Sequence, residues 1–529
     1  MQGGGRAAFA TPSVPPSRIK FLYEYKKNKR SRSRNEIHTP FITIPIFLNL
    51  RSEMENTLEN KKLNAMGTAS IPKIILQFSV PAIISMLIEA LYNIVDRYFV
   101  GQGVGSLGIG GITICFPITL FIMAMSMIVG VGGNTIFAIR LGEKKYQQAA
   151  IILNNSFLLL VIMAVAAFTL GQTFMTPLLK LFGASDQLLP VAKSYMRIIL
   201  MGAIFQTIVP GMNHFIRSMG HPKTAMTRVM IGAGSNVILD WLFIMKFGWG
   251  IEGAAWATVT SQLIGGIAVM QFFVKKTTPI KINRRLMKLR AAYVRKIFIL
   301  GLPPSVMQIT NSLLNAILAW SLTHYGNKSL QNVNGMAGGD QAIAAFGIIN
   351  SIVSIIILPL LGFVNGSQPI IGYNYGAKRF TRVRGALKFT MIYATGFIAV
   401  AWIIVMTFTR TFVAPFAPND VNMQELATWG MRTFLIMLPF VPIGMVSGNF
   451  FQGIGKPWQS MFFNACRQLI LLIPFVIIMP RFFELRGVFM AQPIADVGAC
   501  IIAVTMLRMQ LKKIPHTDMR DDDAEKVSN

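Results

Sequence analysis

The chain has 529 residues, of which 53% are hydrophobic and only 13% charged, and its mean hydropathy is +0.53. A soluble domain carries about 25% charged residues, so a water-soluble enzyme, binding module or scaffold is excluded. The net charge of +29 invites a nucleic-acid reading, but the Lys and Arg sit mainly in the tails and in alternate short loops. That is the footprint of the positive-inside rule, so the expected partner is a lipid bilayer and no nucleic acid.

In chain order, residues 1–70 are rich in Lys, Arg, Ser, Pro and Asn and read as a mostly disordered, basic cytoplasmic tail. The apolar stretch Ile37–Leu50 is too short to span and is broken by Pro40 and Pro45. From Pro72 onward twelve apolar spans are predicted, near 74–99, 109–139, 150–173, 190–216, 225–246, 253–274, 295–322, 341–372, 384–408, 425–450, 459–480 and 487–507. Each has about the 20 apolar residues that a helix needs to cross hydrocarbon. The expected architecture is an all-α polytopic membrane protein of twelve transmembrane helices in two pseudo-symmetric six-helix lobes. The first lobe covers 71–274, a cytoplasmic linker 275–294, the second lobe 295–510, and a charged cytoplasmic tail 511–529.

Loop charge sets the expected orientation. The loop after span six carries Lys281, Arg284, Arg285, Lys288 and Arg290, and the loop after span eight carries Lys378, Arg379 and Arg382, neither with an acid. The loop at 101–107 has no basic residue and that at 323–339 has only Lys328. Both termini are therefore expected in the cytoplasm.

The halves repeat. Pro81 pairs with Pro303, Gly142-Glu-Lys-Lys-Tyr146 with Gly376-Ala-Lys-Arg-Phe380, Gly220-His-Pro222 with Gly455-Lys-Pro457, and Gly253 with Gly487, at offsets of 222, 234, 235 and 234. Six spans per half is an even number, so the repeat is parallel, about an axis along the membrane normal, with substrate expected between the lobes.

Acids inside spans are the sharpest chemical signal, because each is costly in lipid and normally faces a cavity or partner. There are four: Glu89, Asp96, Asp240 and Asp496. Helical spacing puts Ser85, Glu89, Tyr92 and Asp96 on one face of span one, with Asn93 beside them. Glu89 and Asp96 are about 10.5 Å apart along the axis. Asn236 and Asp240 lie one turn apart on span five, and Thr258 and Ser261 lie on span six. Such an oxygen-rich nest suits a hard cation, and two close carboxyls also suit a proton. A helix-packing hydrogen-bond network is the plainer alternative. In the second half the offsets replace Glu89 by Asn311, Asn93 by Asn315, Asp96 by Leu318 and Asp240 by Phe475. Span seven keeps a polar stripe of Gln308, Asn311 and Asn315. Ion coupling is thus expected in the first lobe, with substrate contact shared by Glu89, Tyr92, Asn93, Gln308, Asn311, Asn315 and Asp496. Pro81 is a candidate hinge.

Cys115, Cys466 and Cys500 lie far apart and form no metal-ligand spacing. No HExxH, GxSxG or Walker sequence is present. No cofactor is expected, and transport would be driven by an ion gradient of H⁺ or Na⁺.

The run Leu91-Tyr-Asn-Ile-Val-Asp96-Arg-Tyr-Phe-Val-Gly101, the Arg140-Leu-Gly-Glu-Lys144 loop and Gly220-His-Pro222 together resemble the multidrug and toxic compound extrusion (MATE) family, in its bacterial MepA/DinF-like branch. The resemblance covers residues 68–510. It implies an efflux antiporter that exchanges cationic, amphiphilic small molecules for H⁺ or Na⁺ by alternating access. It further implies a first-lobe cation site, possible for Na⁺, at Asp96, Asn236, Asp240 and Thr258, with Thr260 as an alternative to Thr258. A monomer in the bacterial inner membrane is expected. A flippase for lipid-linked precursors is the alternative within the superfamily, disfavoured by the acidic character of the buried charges. A membrane-embedded enzyme would need clustered acid and base residues at one level, which the sequence lacks.

Overall fold

The computed structural model describes residues 62–104, 106–182, 184, 186–275, 278–331, 337–416 and 420–518. Most of the 1–70 tail and the end of the 511–529 tail lie outside the described residues. Among the described residues the regular elements are all helical, and no strand is assigned. Hydrocarbon dictates this outcome: with no water to bond, each apolar run must satisfy its own backbone.

The first lobe comprises α1 (Ile71–Gly103), α2 (Ser106–Gly142), α3 (Tyr146–Thr173), α4 (Leu188–Met201), α5 (Ala203–Ser218), α6 (Pro222–Asp240) and α7 (Gly250–Val274). The second comprises α8 (Ala291–Ser329), α9 (Gly338–Gly376), α10 (Phe380–Thr407), α11 (Val421–Phe434), α12 (Val441–Gly453), α13 (Pro457–Ala465) and α14 (Ile473–Lys513). Among the described residues ten helical runs are long and apolar enough to cross a membrane, and the pair α4–α5, bent by 53°, makes eleven. The run Pro457–Lys513 is broken at Glu484, whose φ of 50° and ψ of −135° are not helical. It folds back there, with Gly487 against the Met479 carbonyl and Gly498 against Leu471. Counting it as two spans gives the expected twelve.

Two expected spans are not straight. Span four breaks at Gly202, which packs against Val259 and lacks the side chain that would resist the bend. Span ten breaks between Phe434 and Val441, where Pro439 and Pro442 remove backbone donors. The breaks fall at equivalent places in the two lobes.

The repeat is visible in the backbone itself. Lys144 and Lys378 both adopt a positive φ, 60° and 56°, which is uncommon for a residue with a side chain. Gly220 and Gly455 do so at the next matched turn, with φ of 87° and 74°. All four lie at the end of the bundle that carries the basic loops, here called the basic end.

In the half nearer the basic end the lobes touch backbone to backbone. A Cβ on Gly132 would strike the Ile297 carbonyl, and one on Gly301 the Ile128 carbonyl. Gly142 and Gly376 sit likewise against Tyr373 and Ile139, and Gly362 and Gly366 against Ile83 and Ser79. Small residues permit such approach, which is how helices gain packing without a hydrophobic drive between them. Polar bonds reinforce the seam: Ser305 Oγ donates to the Ala124 carbonyl at 3.1 Å, Ser79 Oγ to the Phe363 carbonyl at 2.9 Å, and Gln452 Nε2 to Thr135 Oγ1 at 3.5 Å.

Residues 62–69, assigned above to the free tail, are instead packed at the basic end. Residues 62–68 form a helix in which Leu63 and Met66 are buried. The Met66 carbonyl accepts from Asn374 Nδ2 at 3.0 Å and the Ala69 carbonyl from Arg382 Nη2 at 2.6 Å, while Lys62 lies beside Gly220 of the first lobe. The linker is also tied down. Asn154 Oδ1 accepts from Asn283 N at 2.8 Å, and Asn155 Oδ1 from Arg290 N at 2.9 Å.

Candidate coupling site in the first lobe

Helix α1 carries the acidic stripe through the first lobe. Pro81 sits within it without ending it, and Ser85 Oγ donates to the Pro81 carbonyl at 2.8 Å. Pro81 lies between the two tight contacts that Ser79 and Ile83 make with α9.

Above that seam, α1 runs beside α6. Gly103 packs against Ile244, just beyond Asp240. The consequence is that the carboxyl groups of Asp96 and Asp240 come within hydrogen-bonding reach of each other. Asp240 is wholly buried, Asn236 is 2% exposed and Asp96 is half-buried. Asp96 Oδ1, both Asp240 oxygens and both polar atoms of the Asn236 amide are buried without a hydrogen-bond partner among the described residues. Buried polar groups are ordinarily paired, so this cluster of orphaned oxygens is an exception with a chemical meaning. Two facing carboxylates repel each other unless a proton or a cation lies between them.

The helix continues past Asp240 as a π-helical turn, Trp241–Lys246. Such turns are rare and recur at functional sites. Helix α7 returns antiparallel, with Gly253 against Phe243 and Gly232 facing the Ser261 carbonyl. That register puts Thr258 level with Asn236 and Asp240. Thr258 is half-buried, and its carbonyl accepts from Ser261 Oγ at 2.8 Å.

Glu89 is exposed although protein surrounds it, so it lines an opening within the lobe. Its charge acts on Arg217 of α5, and Arg217 Nη2 lies 3.0 Å from His214 Nδ1. Tyr92 is within electrostatic reach of Glu89, Asp96 and Asp240. The side chain of Asn93 lies outside the described residues.

The second-lobe candidates are dispersed. Asn311 accepts a hydrogen bond from Gln468 Nε2 of the π-helical stretch Cys466–Leu472. Asn315 is exposed, and Gln308 lines a crevice beside α2 and α3. Asp496, placed above among the substrate contacts, is buried and engaged. Arg467 Nη2 lies 2.8 Å from it, Arg467 Nε donates at 2.9 Å, and Gln492 Nε2 donates to its second oxygen at 3.1 Å. A carboxylate so neutralised is a strut between helices rather than a free ligand.

Three participants escaped the sequence reading. Arg217 stands near a span end, where an arginine reads as a snorkelling anchor. Arg467 is an intramembrane cation whose significance appears only with Asp496. Tyr195 of α4 is buried and within electrostatic reach of Asp96, Tyr92 and Asp240; nothing local marks it.

A two-lobed, twelve-span helical bundle with an acid pair left unsatisfied among the described residues has the architecture of a multi-pass membrane transporter. The MatE family model matches residues 81–242 and 303–478, one segment in each lobe. The chain belongs to the MatE family, in its MepA-like branch. It is 25% identical over 450 residues to the multidrug export protein MepA of Staphylococcus aureus (strain MSSA476), covering 85% of this chain and 96% of that one. It is likewise 25% identical over 447 residues to MepA of Staphylococcus haemolyticus (strain JCSC1435), covering 84% and 95%. A solved MATE structure in a bent conformation superposes with a TM-score of 0.79 at 25% identity, over 86% of this chain and 98% of that one. An outward-facing MATE transporter of multidrug resistance matches with a TM-score of 0.78 at 25% identity, over 85% and 98%.

Proposed function

We propose that this protein is a secondary multidrug exporter that moves cationic, amphiphilic small molecules out of the cell in exchange for H⁺ or Na⁺. One observation carries the reading: the Asp96–Asp240 pair meets in the first lobe with Asp96 Oδ1 and both Asp240 oxygens unsatisfied by any protein donor among the described residues. Relatives of nearly full length that are named multidrug export proteins support the substrate class.

The pair can hold one proton between its carboxyls, as close acids do. With the Asn236 carbonyl oxygen and the level Thr258 hydroxyl, the same oxygens form a set that a hard cation such as Na⁺ would accept. Glu89, in the opening of the same lobe, attracts the cationic substrate, and Tyr92 and Asn93 on the same helix are its proposed companions. Arg217 tempers that attraction. Asn315 contributes from the second lobe, and Asn311 does so after leaving Gln468, whereas Gln308 faces a separate crevice.

By the positive-inside rule the basic end lies in the cytoplasm of a bacterial inner membrane, with both termini there. The glycine seam then closes the cytoplasmic half, and the state is outward-facing. Rocking of the lobes, with Pro81 as hinge, would open the seam and expose the site to the cytoplasm. The protein acts as a monomer. The test is export from proteoliposomes under imposed pH or Na⁺ gradients. Asp96→Asn and Asp240→Asn should each abolish gradient-driven export while still inserting and folding. Wild-type rates in both variants would remove the coupling role.

A further inference from the structure

A crevice of about 510 Å³ opens where α2 and α3 of the first lobe meet α8 of the second. Its floor includes Ile122 and Leu200, both 1% exposed, and its rim includes the exposed rings of Phe121 and Phe174. From the second lobe come Gln308, Ile309 and Ser312. It lies in the half of the bundle away from the glycine seam, since it is bounded by the end of α3 and the following turn Met175–Leu181. It is separate from the acid pair on α1 and α6, and no residue lining it is Asp, Glu, Lys, Arg or His.

We propose that this crevice binds an uncharged, hydrophobic molecule of drug size, with its apolar body between α2, α3 and α8 and one hydrogen-bonding group at the Gln308 amide. The volume falls in the range of small-molecule sites, which join an apolar lining to a few placed polar groups. A charged ligand would lose its hydration here and meet no counter-charge. The Gln308 side chain has no hydrogen-bond partner among the described residues, whereas Ser312 Oγ already donates to the Gln308 carbonyl at 3.2 Å. A lipid acyl chain offers that amide nothing, because its ester oxygens stay at the interface. The exporter reading gains a second substrate class from this site, held apart from the cations attracted by Glu89.

The probe is benzophenone, which is uncharged, aromatic, photoreactive and carries one carbonyl acceptor. The full chain is placed in nanodiscs of phosphatidylethanolamine and phosphatidylglycerol, illuminated, and its adducts mapped by mass spectrometry. Saturable labelling is expected on peptides covering 117–125, 167–182 and 308–312. Ile309 is 61% exposed, so Ile309→Trp fills the crevice without disturbing packed core. It should cut labelling about tenfold, equivalent to about 1.4 kcal/mol. Ser312→Leu provides a second filling variant, and tetraphenylphosphonium should not compete. Unsaturable labelling spread over lipid-facing helices, or labelling unchanged in both variants, would overturn the proposal. So would native mass spectrometry showing a phospholipid lost from Ile309→Trp with no saturable benzophenone site, which assigns the crevice to an acyl chain. Binding is read without any gradient, so a failure of the antiport reading leaves this result standing.

Discussion

Arg467 and Asp496 form an ion pair inside the second lobe, with Arg467 Nη2 2.8 Å from the Asp496 carboxylate. The aspartate side chain is 4% exposed and the arginine side chain 21%, and Gln492 completes the carboxylate's hydrogen bonds. Removing one partner of a buried pair strands the other charge, at a cost of about 3–5 kcal/mol. Asp496→Asn should therefore lower the thermal unfolding temperature of the purified protein markedly. The double replacement Arg467→Met with Asp496→Leu should recover much of the loss. Export by Asp496→Asn, normalised to folded protein, should stay near wild type. A selective loss of cation export would restore Asp496 to the substrate set.

Glu89 presents a different case, because it faces the opening of the first lobe and its charge acts on Arg217. Glu89→Gln should weaken binding of a monovalent cation such as tetraphenylphosphonium by about 3- to 10-fold, modest because the group is open to solvent. Arg217→Gln should shift affinity the opposite way. Equilibrium binding of a cation and of a neutral compound of similar size checks both. An equal loss for the neutral compound would mean that Glu89 only holds the helix in place.

The glycine seam makes a steric prediction. A Cβ on Gly301 would overlap the Ile128 backbone, which cannot move aside as a flexible side chain does. Gly301→Leu should hold the lobes apart at the basic end and stop transport while both lobes stay folded. Spin labels on α2 and α8 near that end should report a longer distance than in wild type. An unchanged distance together with normal export would show that the seam tolerates a side chain.

Residues 62–69 carry a stability prediction. Arg382 Nη2 donates to the Ala69 carbonyl at 2.6 Å, and Arg382 Nε donates to Asn374 Oδ1 at 3.1 Å. Hydrogen bonds from a charged donor contribute about 1.5–3 kcal/mol. Arg382→Ala should raise amide hydrogen exchange across 62–69 with little change in the α1 interior. Unaltered exchange there would show that Leu63 and Met66 anchor the segment alone.

Much of the architecture was legible in the chain because hydrophobic length is a local property. Any run of about 20 apolar residues must become a spanning helix, whatever its neighbours do. The repeat was legible for a similar reason: Gly142 and Gly376, or Gly220 and Gly455, mark turns whose backbone form needs particular residues nearby in sequence. The bends in spans four and ten were not legible, since glycine and proline are tolerated in many straight membrane helices.

The sequence by itself determined a two-lobed helical membrane protein with acids buried in its spans, because burial in lipid is set residue by residue along each helix. Only the tertiary structure decided what each acid meets. It set Asp96 against Asp240 with no protein donor between them, but gave Asp496 to Arg467. The physical reason is that a charge acts across a few ångströms of space, and helix packing alone sets which residues distant in the chain come that close.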